Sequence, residues 1–482
     1  MAHVLPPFLT VLAWGIVMFG RRPALVLASL TLLAAGTWLL WSTKHHPRIE
    51  RVVLLGFDGA APNLIAPLLA EGKLPAMQHL IDEGAYGPLR TDRPTKSAII
   101  WNSIATGKTM LKHGIIDWTY ASQAGLEVPY TDRKRRVKTY WEILDERGFK
   151  TGTLNWWVSY PPFPLRNGWL VSNAFKNRQD AGTVHPPQLF DHLNALRVSW
   201  PGDAQPEMER LGIPLWKEAD ATVPITATRP ILDAYGFYVA QDMTIDRASD
   251  WLFENRPAQA FSTYFRLVDV TSHLADHYLD RTLYDAAIGQ ERAGTFGKAE
   301  EERIDREFAH VLRPLYEQMD RTIAKYLSRM DGKTLLIVCS DHGFRFFQGA
   351  YSHANPAQEP PDGVVFVAGP GVVKGQRLSG ASIYDIAPTV LYALGQPAAS
   401  DMDGTVLRGV FDKRFLKQFP VRTIATYESR PRDAAPGAAN PDVDKEVLRD
   451  LSTLGYLGGT KEKPGSPPPP SASPPPPPRS KR

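Results

Sequence analysis

Short apolar runs recur along the chain, separated by longer stretches with helix-like spacing of apolar positions. Four runs stand out: "RVVLLGFDG" from Arg51, "AFSTYFRLVD" from Ala260, "KTLLIVCSDHG" from Lys333 and "GVVFVAGPG" from Gly363. Continuous apolar runs of this length read as strands covered on both faces. The pattern predicts strands of a mostly parallel sheet with helices between them, an α/β architecture. In open sheets of this kind, ligands gather beyond the carboxyl ends of the strands. The first three runs each close on an aspartate, Asp58, Asp269 and Asp341. One such Asp ordinarily means a helix cap or a turn. Here three recur, two of them with histidines nearby.

Both ends of the chain depart from this pattern. Pro23 to Trp41 carries no charge and would span about 28 Å as a helix at ~1.5 Å per residue, the length of a membrane span. Val4 to Phe19 is also uncharged and shorter, with Pro6 and Pro7 near its start, and is a candidate first span. No small-residue cleavage site follows Trp41 before the basic stretch, so the segment is read as an uncleaved helix or hairpin. Arg21 and Arg22 lie between the stretches and Lys44, Arg48 and Arg51 follow, so flanking charge does not orient them. At the other end, the Pro-rich stretch from Pro464 lacks the apolar residues to fold. Before it, Val447, Leu448, Leu451 and Leu454 have helical spacing, with Gly455 as C-cap.

Composition narrows the function classes. The 482 residues are 43% hydrophobic and 22% charged, with a net charge of +4. No run of Lys and Arg interleaves with aromatics, so nucleic acid binding is not indicated. Cys339 stands alone and forms no internal disulfide.

Asp269 and His273, four residues apart, would share one face of a helix beginning there, and with His353 they make a three-ligand set. Asp58, Asp341 and His342 make a second. The adjacent pair serves one ion because it lies past the strand, where neighbouring side chains need not alternate. Mixed Asp and His ligation suits zinc, and two ions about 4 Å apart stabilise the entering and leaving oxygens of phosphoryl transfer. The stretch "PTKSAIIWNSIATGKTMLKHGIIDW" adds a hydroxyl at Ser97, which reads both as a helix N-cap and as a nucleophile; Thr95 is the runner-up.

These motifs together resemble the alkaline phosphatase superfamily, nearest its type I phosphodiesterase/nucleotide pyrophosphatase branch. There a Ser or Thr nucleophile precedes W-x-S-x-x-T-G and H-G-I, matched here by Ser97, Trp101, Ser103, Thr106, Gly107, His113, Gly114 and Ile115. G-x-D-G at Gly56 to Gly59, D-x-x-x-H at Asp269 to His273, D-H-G at Asp341 to Gly343 and the later His353 complete the pattern. The resemblance covers most of residues 51 to 410. It implies an α/β/α sandwich, two divalent ions, most simply Zn2+, and a phosphate ester substrate. Asp58, Asp341 and His342 would hold one ion, Asp269, His273 and His353 the other, with Ser97 between them and touching metal. His277 lies outside the family pattern and is read as structural. Trp156 and Trp157 are read as core, with a cleft lining as the alternative.

Two departures limit the substrate. Ile99 and Trp101 stand where sulfatases carry Pro and Arg, which disfavours sulfatase chemistry. Asp117 and Trp118 stand where nucleotide pyrophosphatases carry an Asn that contacts a phosphoryl oxygen, leaving Lys96 or Asn102 as candidate substrate contacts. The expected organisation is a membrane anchor at 1–50, a catalytic domain at 51–425 with a cap or insertion near 118–260, and a helix with a disordered tail at 426–482. With the uncharged N-terminal stretches read as an anchor, the resemblance implies a membrane-anchored phosphohydrolase, phosphodiesterase-like, working through a covalent phosphoserine outside the cytoplasm. A phosphomonoesterase or phosphoryl transferase is the nearer alternative, an inactive tethered scaffold the more distant one.

Overall fold

The computed structural model describes residues 48–122, 125–177, 179–211, 225–275, 281–347, 350–353 and 359–429, with scattered positions from 432 to 452. The expected membrane spans, His277 and the Pro-rich tail lie outside these residues. Among the described residues no helix is long and apolar enough to cross a membrane. Of the expected C-terminal helix, Asp444, Lys445, Leu448, Leu451 and Ser452 are helical, and Leu451 is buried.

The sheet begins with β1 (Arg51–Phe57) and β2 (Ala85–Arg90), while β3 (Thr119–Ala121) and β4 (Glu127–Pro129) form a separate hairpin. Strands β5 (Thr151–Leu154), β6 (Trp169–Val171), β7 (Val184–His185), β8 (Ala260–Phe265) and β9 (Thr334–Cys339) follow. A second hairpin, β10 (Arg345–Phe347) and β11 (Ala350–Ser352), precedes β12 (Gly363–Ala368), β13 (Gln376–Arg377) and β14 (Ala381–Ser382). The sheet order is β13-β2-β12-β9-β1-β8-β5-β6-β7, with β14 also pairing β2. The central run from β9 to β6 is parallel throughout.

Side-chain alternation along β1 feeds two cores, because successive strand residues point to opposite faces. Val53, Leu55 and Phe57 join one apolar cluster, and Val52 and Leu54 join the other. The first cluster is closed by α1 (Pro62–Ala70), α2 (Pro75–Glu83), α5 (Ile225–Asn255) and α7 (Lys298–Leu327). The second is closed by α3 (Ser97–Thr106), α4 (Tyr140–Glu146) and α8 (Ile386–Ala393). Each large apolar side chain so buried contributes about 1.5–3 kcal/mol. Local chemistry starts the helices: Pro62 fits the first turn of α1, and Thr139 with Glu142 forms a capping box on α4. The result is the expected α/β/α sandwich.

Three expectations change. β12, expected to be parallel, runs antiparallel to both β9 and β2. A parallel return needs a crossover, usually a helix, and between β9 and β12 the described chain supplies only the β10–β11 hairpin. β8 stops at Phe265, so Asp269 is not a strand end; it lies in the first turn of α6 (Leu267–Ala275). The stretch 118–260, expected as a cap or insertion, instead supplies β5, β6 and β7 to the sheet and α4 and α5 to its faces.

Candidate active site

β1 delivers Asp58 at its carboxyl end, and the flanking glycines make that possible. A Cβ on Gly56 would sit 2.6 Å from the Trp101 ring, so only glycine lets α3 pack this close. Gly59 has φ +68°, and a Cβ there would lie 2.9 Å from the Asp269 backbone. Its N–H donates to Asp341 Oδ1 at 3.2 Å, joining residues 282 apart in sequence. β9 brings Asp341 and His342, both fully buried. α6 brings Asp269 and, one turn on, His273, and its N-terminus is fixed by Asp242 on α5. That carboxylate accepts from Leu267 N at 2.9 Å and Arg266 N at 3.4 Å. His353 directly follows β11.

These six side chains converge. His342 Nε2 lies 3.3 Å from Asp58 Oδ1 and 3.5 Å from Asp341 Oδ2. Asp269 Oδ1 is 3.4 Å from His273 Nε2 and 3.8 Å from Nε2 of both His342 and His353. Two groups therefore have ligand atoms all within 4.8 Å of one another: Asp269, His273 and His353, and Asp58, Asp269 and His342. The first has the composition expected from sequence. In the second Asp269 joins Asp58 and His342, and Asp341 borders them through its contact with His342.

The electrostatics suit cations. Burial pushes the Asp341 carboxyl well above the usual carboxylate range, and the neighbouring Asp58 pushes it the same way. Burial disfavours charge on His342 too, but Asp341, Asp58 and Asp269 outweigh it and raise the imidazole to about 10. Burial opposes ionisation of Asp269, yet His273, His342 and His353 hold its carboxyl well below the ordinary range. Burial, then His342 and His273, push His353 well below the usual imidazole value. Among the described residues, Asp341 Oδ2 and His342 Nε2 are buried without a hydrogen-bond partner. Carboxylates and imidazoles packed with bare ligand atoms facing each other fit divalent metal ions.

Ser97 opens α3 as its first helical residue, the N-cap being Lys96, and its Oγ donates to Asp58 Oδ1 at 3.4 Å. Thr95 is turned to another use, donating its hydroxyl to the His353 carbonyl at 2.8 Å. Lys96 Nζ contacts Asp117 Oδ1 at 2.5 Å, both side chains part exposed. Asn102 is not brought to the cluster: its amide nitrogen donates to Ala98 O and Trp157 O, and its oxygen accepts from Arg135. His113 is structural. Its Nδ1 accepts from Ile115 N, its Nε2 meets Ser103 Oγ, and burial lowers it to about 3.

Asp58 has a further set of partners that sequence reasoning did not single out. Its Oδ2 accepts from Trp101 Nε1 at 3.2 Å and from the Tyr264 hydroxyl. Tyr264 in turn accepts from Trp157 Nε1 at 2.7 Å. Trp156 donates to Trp101 O at 2.8 Å, and Trp156 and Trp157 are both buried, so they are packing residues with a polar duty. The available signal was a tyrosine inside the strand run AFSTYF, buried along its whole length, since a buried hydroxyl wants a partner.

The type I phosphodiesterase/nucleotide pyrophosphatase family pattern matches residues 52–374. No curated protein sequence matches the chain. Among solved structures, the phosphonate monoester hydrolase of Silicibacter pomeroyi is 16% identical, with 74% of this chain and 76% of that one covered at a TM-score of 0.44. Murine ectonucleotide pyrophosphatase/phosphodiesterase 5, in complex with AMP, is 10% identical, with 75% and 100% covered at a TM-score of 0.42. A 2-O glycosaminoglycan sulfatase is 11% identical, with 75% and 73% covered at 0.46. These structural likenesses are distant, and the assignment rests on the family match across two thirds of the sequence: the chain belongs to the type I phosphodiesterase/nucleotide pyrophosphatase family.

Proposed function

We propose that the protein is a two-metal phosphodiesterase whose nucleophile is Ser97. That it is a phosphoric ester hydrolase follows from its family; the mechanism is our reading. The observation that carries it is the buried Ser97 Oγ, at the start of α3 and 3.4 Å from Asp58 Oδ1. Asp58, Asp341 and His342 would hold one ion and Asp269, His273 and His353 the other, with Asp269 close enough to both groups to be shared. Two divalent ions, zinc by the donor set, supply Lewis acidity and lower the pKa of an alcohol.

Asp58 Oδ1 aims the Ser97 hydroxyl and is its nearest acceptor for the proton. Attack forms the Oγ–P bond and breaks the P–O bond to the leaving group, which departs as an alcohol once protonated. Water then cleaves the phosphoserine, returning a proton to Ser97 Oγ and releasing the monoester. The N-terminus of α3 favours the phosphoryl oxygens.

A diester is favoured by the pairing of Lys96 with Asp117. A monoester brings one more ionisable oxygen, and a lysine already offset by a carboxylate meets it poorly. Ser97→Ala is expected to abolish phosphoenzyme trapping and most turnover while the fold persists. Retained activity in S97A, with loss in Thr95→Ala, would make Thr95 the nucleophile. For matched esters with one leaving group, kcat/KM should favour the diester; a tenfold monoester advantage, ~1.4 kcal/mol, rejects the preference. The stretches 4–19 and 23–41 would anchor this domain outside the cytoplasm. Full protease protection in intact cells would sink that orientation.

A further inference from the structure

The edge of the sheet opposite the Asp/His cluster carries a different chemistry. β1 and β9 start at that edge and antiparallel β12 ends there. The C-terminus of α8, the short helix α9 (Lys413–Gln418) and the first described residues enclose a cavity of about 250 Å³. Its wall includes Arg48, Arg422, Gln396, Gln418, Tyr392 and Phe419, and among the described residues no Asp or Glu lines it.

Both arginines converge on Gly395, just past the end of α8. Arg422 Nη2 donates to the Gly395 carbonyl at 2.6 Å, and Arg48 Nη2 lies 2.5 Å from where a Cβ on that glycine would stand. A helix C-terminus attracts cations, but its partial charge of roughly half an electron does not neutralise two guanidiniums. Some other arginines of this protein are paired with acids, Arg329 with Asp250 and Glu254 and Arg210 with Glu207. Among the described residues neither Arg48 nor Arg422 has an acidic partner. Two unneutralised forks beside side-chain amides and aromatic rings make a receptor for a phosphate that carries an apolar group. Exposed Lys413, Arg414 and Lys417 on α9 extend the positive charge.

The preceding chain indicates where that phosphate comes from. Arg48 is seven positions after Trp41, the end of an uncharged stretch long enough to span a bilayer. Seven residues reach at most about 25 Å, so the cavity can lie at the headgroup layer. We infer that this cavity binds the headgroup phosphate of an anionic phospholipid through Arg48 and Arg422. The inference rests on the anchored reading above. It also orients the domain: strands of six or seven residues set the Asp/His cluster roughly 20 Å farther from the bilayer, facing soluble phosphate esters.

The test uses the full chain in phosphatidylcholine nanodiscs with or without phosphatidylglycerol, counting retained lipid by native mass spectrometry. Wild type should retain phosphatidylglycerol selectively. In R48Q/R422Q the preference should weaken roughly thirtyfold. Aryl phosphate ester hydrolysis at the wild-type rate shows that the double variant is folded; if it is not, the single variants R48Q and R422Q are read instead. Equal retention by the folded variant, no lipid preference in wild type, or full displacement by inorganic phosphate would overturn the inference. Recovery of the chain in the soluble fraction of cells would sink the anchor, and this inference with it, while leaving the hydrolase reading intact.

Discussion

Asp58 is asked to do two things, and its two oxygens divide them. Oδ1 faces Ser97 and His342, while Oδ2 is held by Trp101 and Tyr264. Hydrogen bonds to the outer oxygen of a ligating carboxylate fix its orientation, and losing such a partner typically costs about 10–100-fold in metal affinity. Tyr264→Phe keeps the ring against Trp101, at 4.9 Å between centroids, and removes the hydroxyl. We expect weaker zinc binding in that range at one site of the pair, read by competition with a chromophoric chelator. Unchanged affinity at both sites would show that Trp101 alone suffices. Trp157→Phe should have a smaller effect, since the Tyr264 hydroxyl still donates to Asp58 without it.

The element that most depends on its neighbours is α6, which carries two of the candidate ligands, Asp269 and His273, one turn apart. Its start is tied to α5 by Asp242, whose carboxyl burial raises to about 6 despite the two backbone N–H groups it accepts. The folded state therefore holds this proton more tightly than the unfolded chain, where the group titrates near ~3.9. The stability contributed by the protonated form is fully present below about pH 4 and lost as pH rises through about 6. Asp242→Asn removes that dependence. The unfolding free energy of the variant relative to wild type should rise by up to about 3 kcal/mol between pH 4 and 7, because the two-unit shift is linked to folding. A difference independent of pH in urea titrations would mean that Asp242 titrates normally.

Across the whole molecule, the parallel core exists to bring β1, β8 and β9 side by side, so that Asp58, Asp341, His342 and the start of α6 meet at one edge. Burying three aspartates and three histidines together is unfavourable unless cations offset the charge. Two ions per chain are expected by elemental analysis after purification in zinc, and one or none would refute the paired site. A chelator should lower Tm by an amount on the order of 10 °C, since each saturated site adds about 4 kcal/mol at a free ion concentration a thousandfold above Kd. Zinc should restore it.

What the sequence determined by itself was local. Four apolar runs specified β1, β8, β9 and β12, and the spacing of Asp269 and His273 specified one helical face, because strand and helix periodicities are written within a few residues of chain. Residue chemistry also marked the six Asp and His side chains and Ser97. Only the tertiary structure decided the rest. The direction of β12 depends on the connection that returns the chain beside β9, and the place of 118–260 depends on edge pairing that no local pattern encodes. The proximity of Asp269 to His342 and His353, the hold of Tyr264 on Asp58 across 206 residues and the meeting of Arg48 with Arg422 are contacts between distant segments. Such contacts form only when several buried faces pack at once, so no single stretch of sequence contains them.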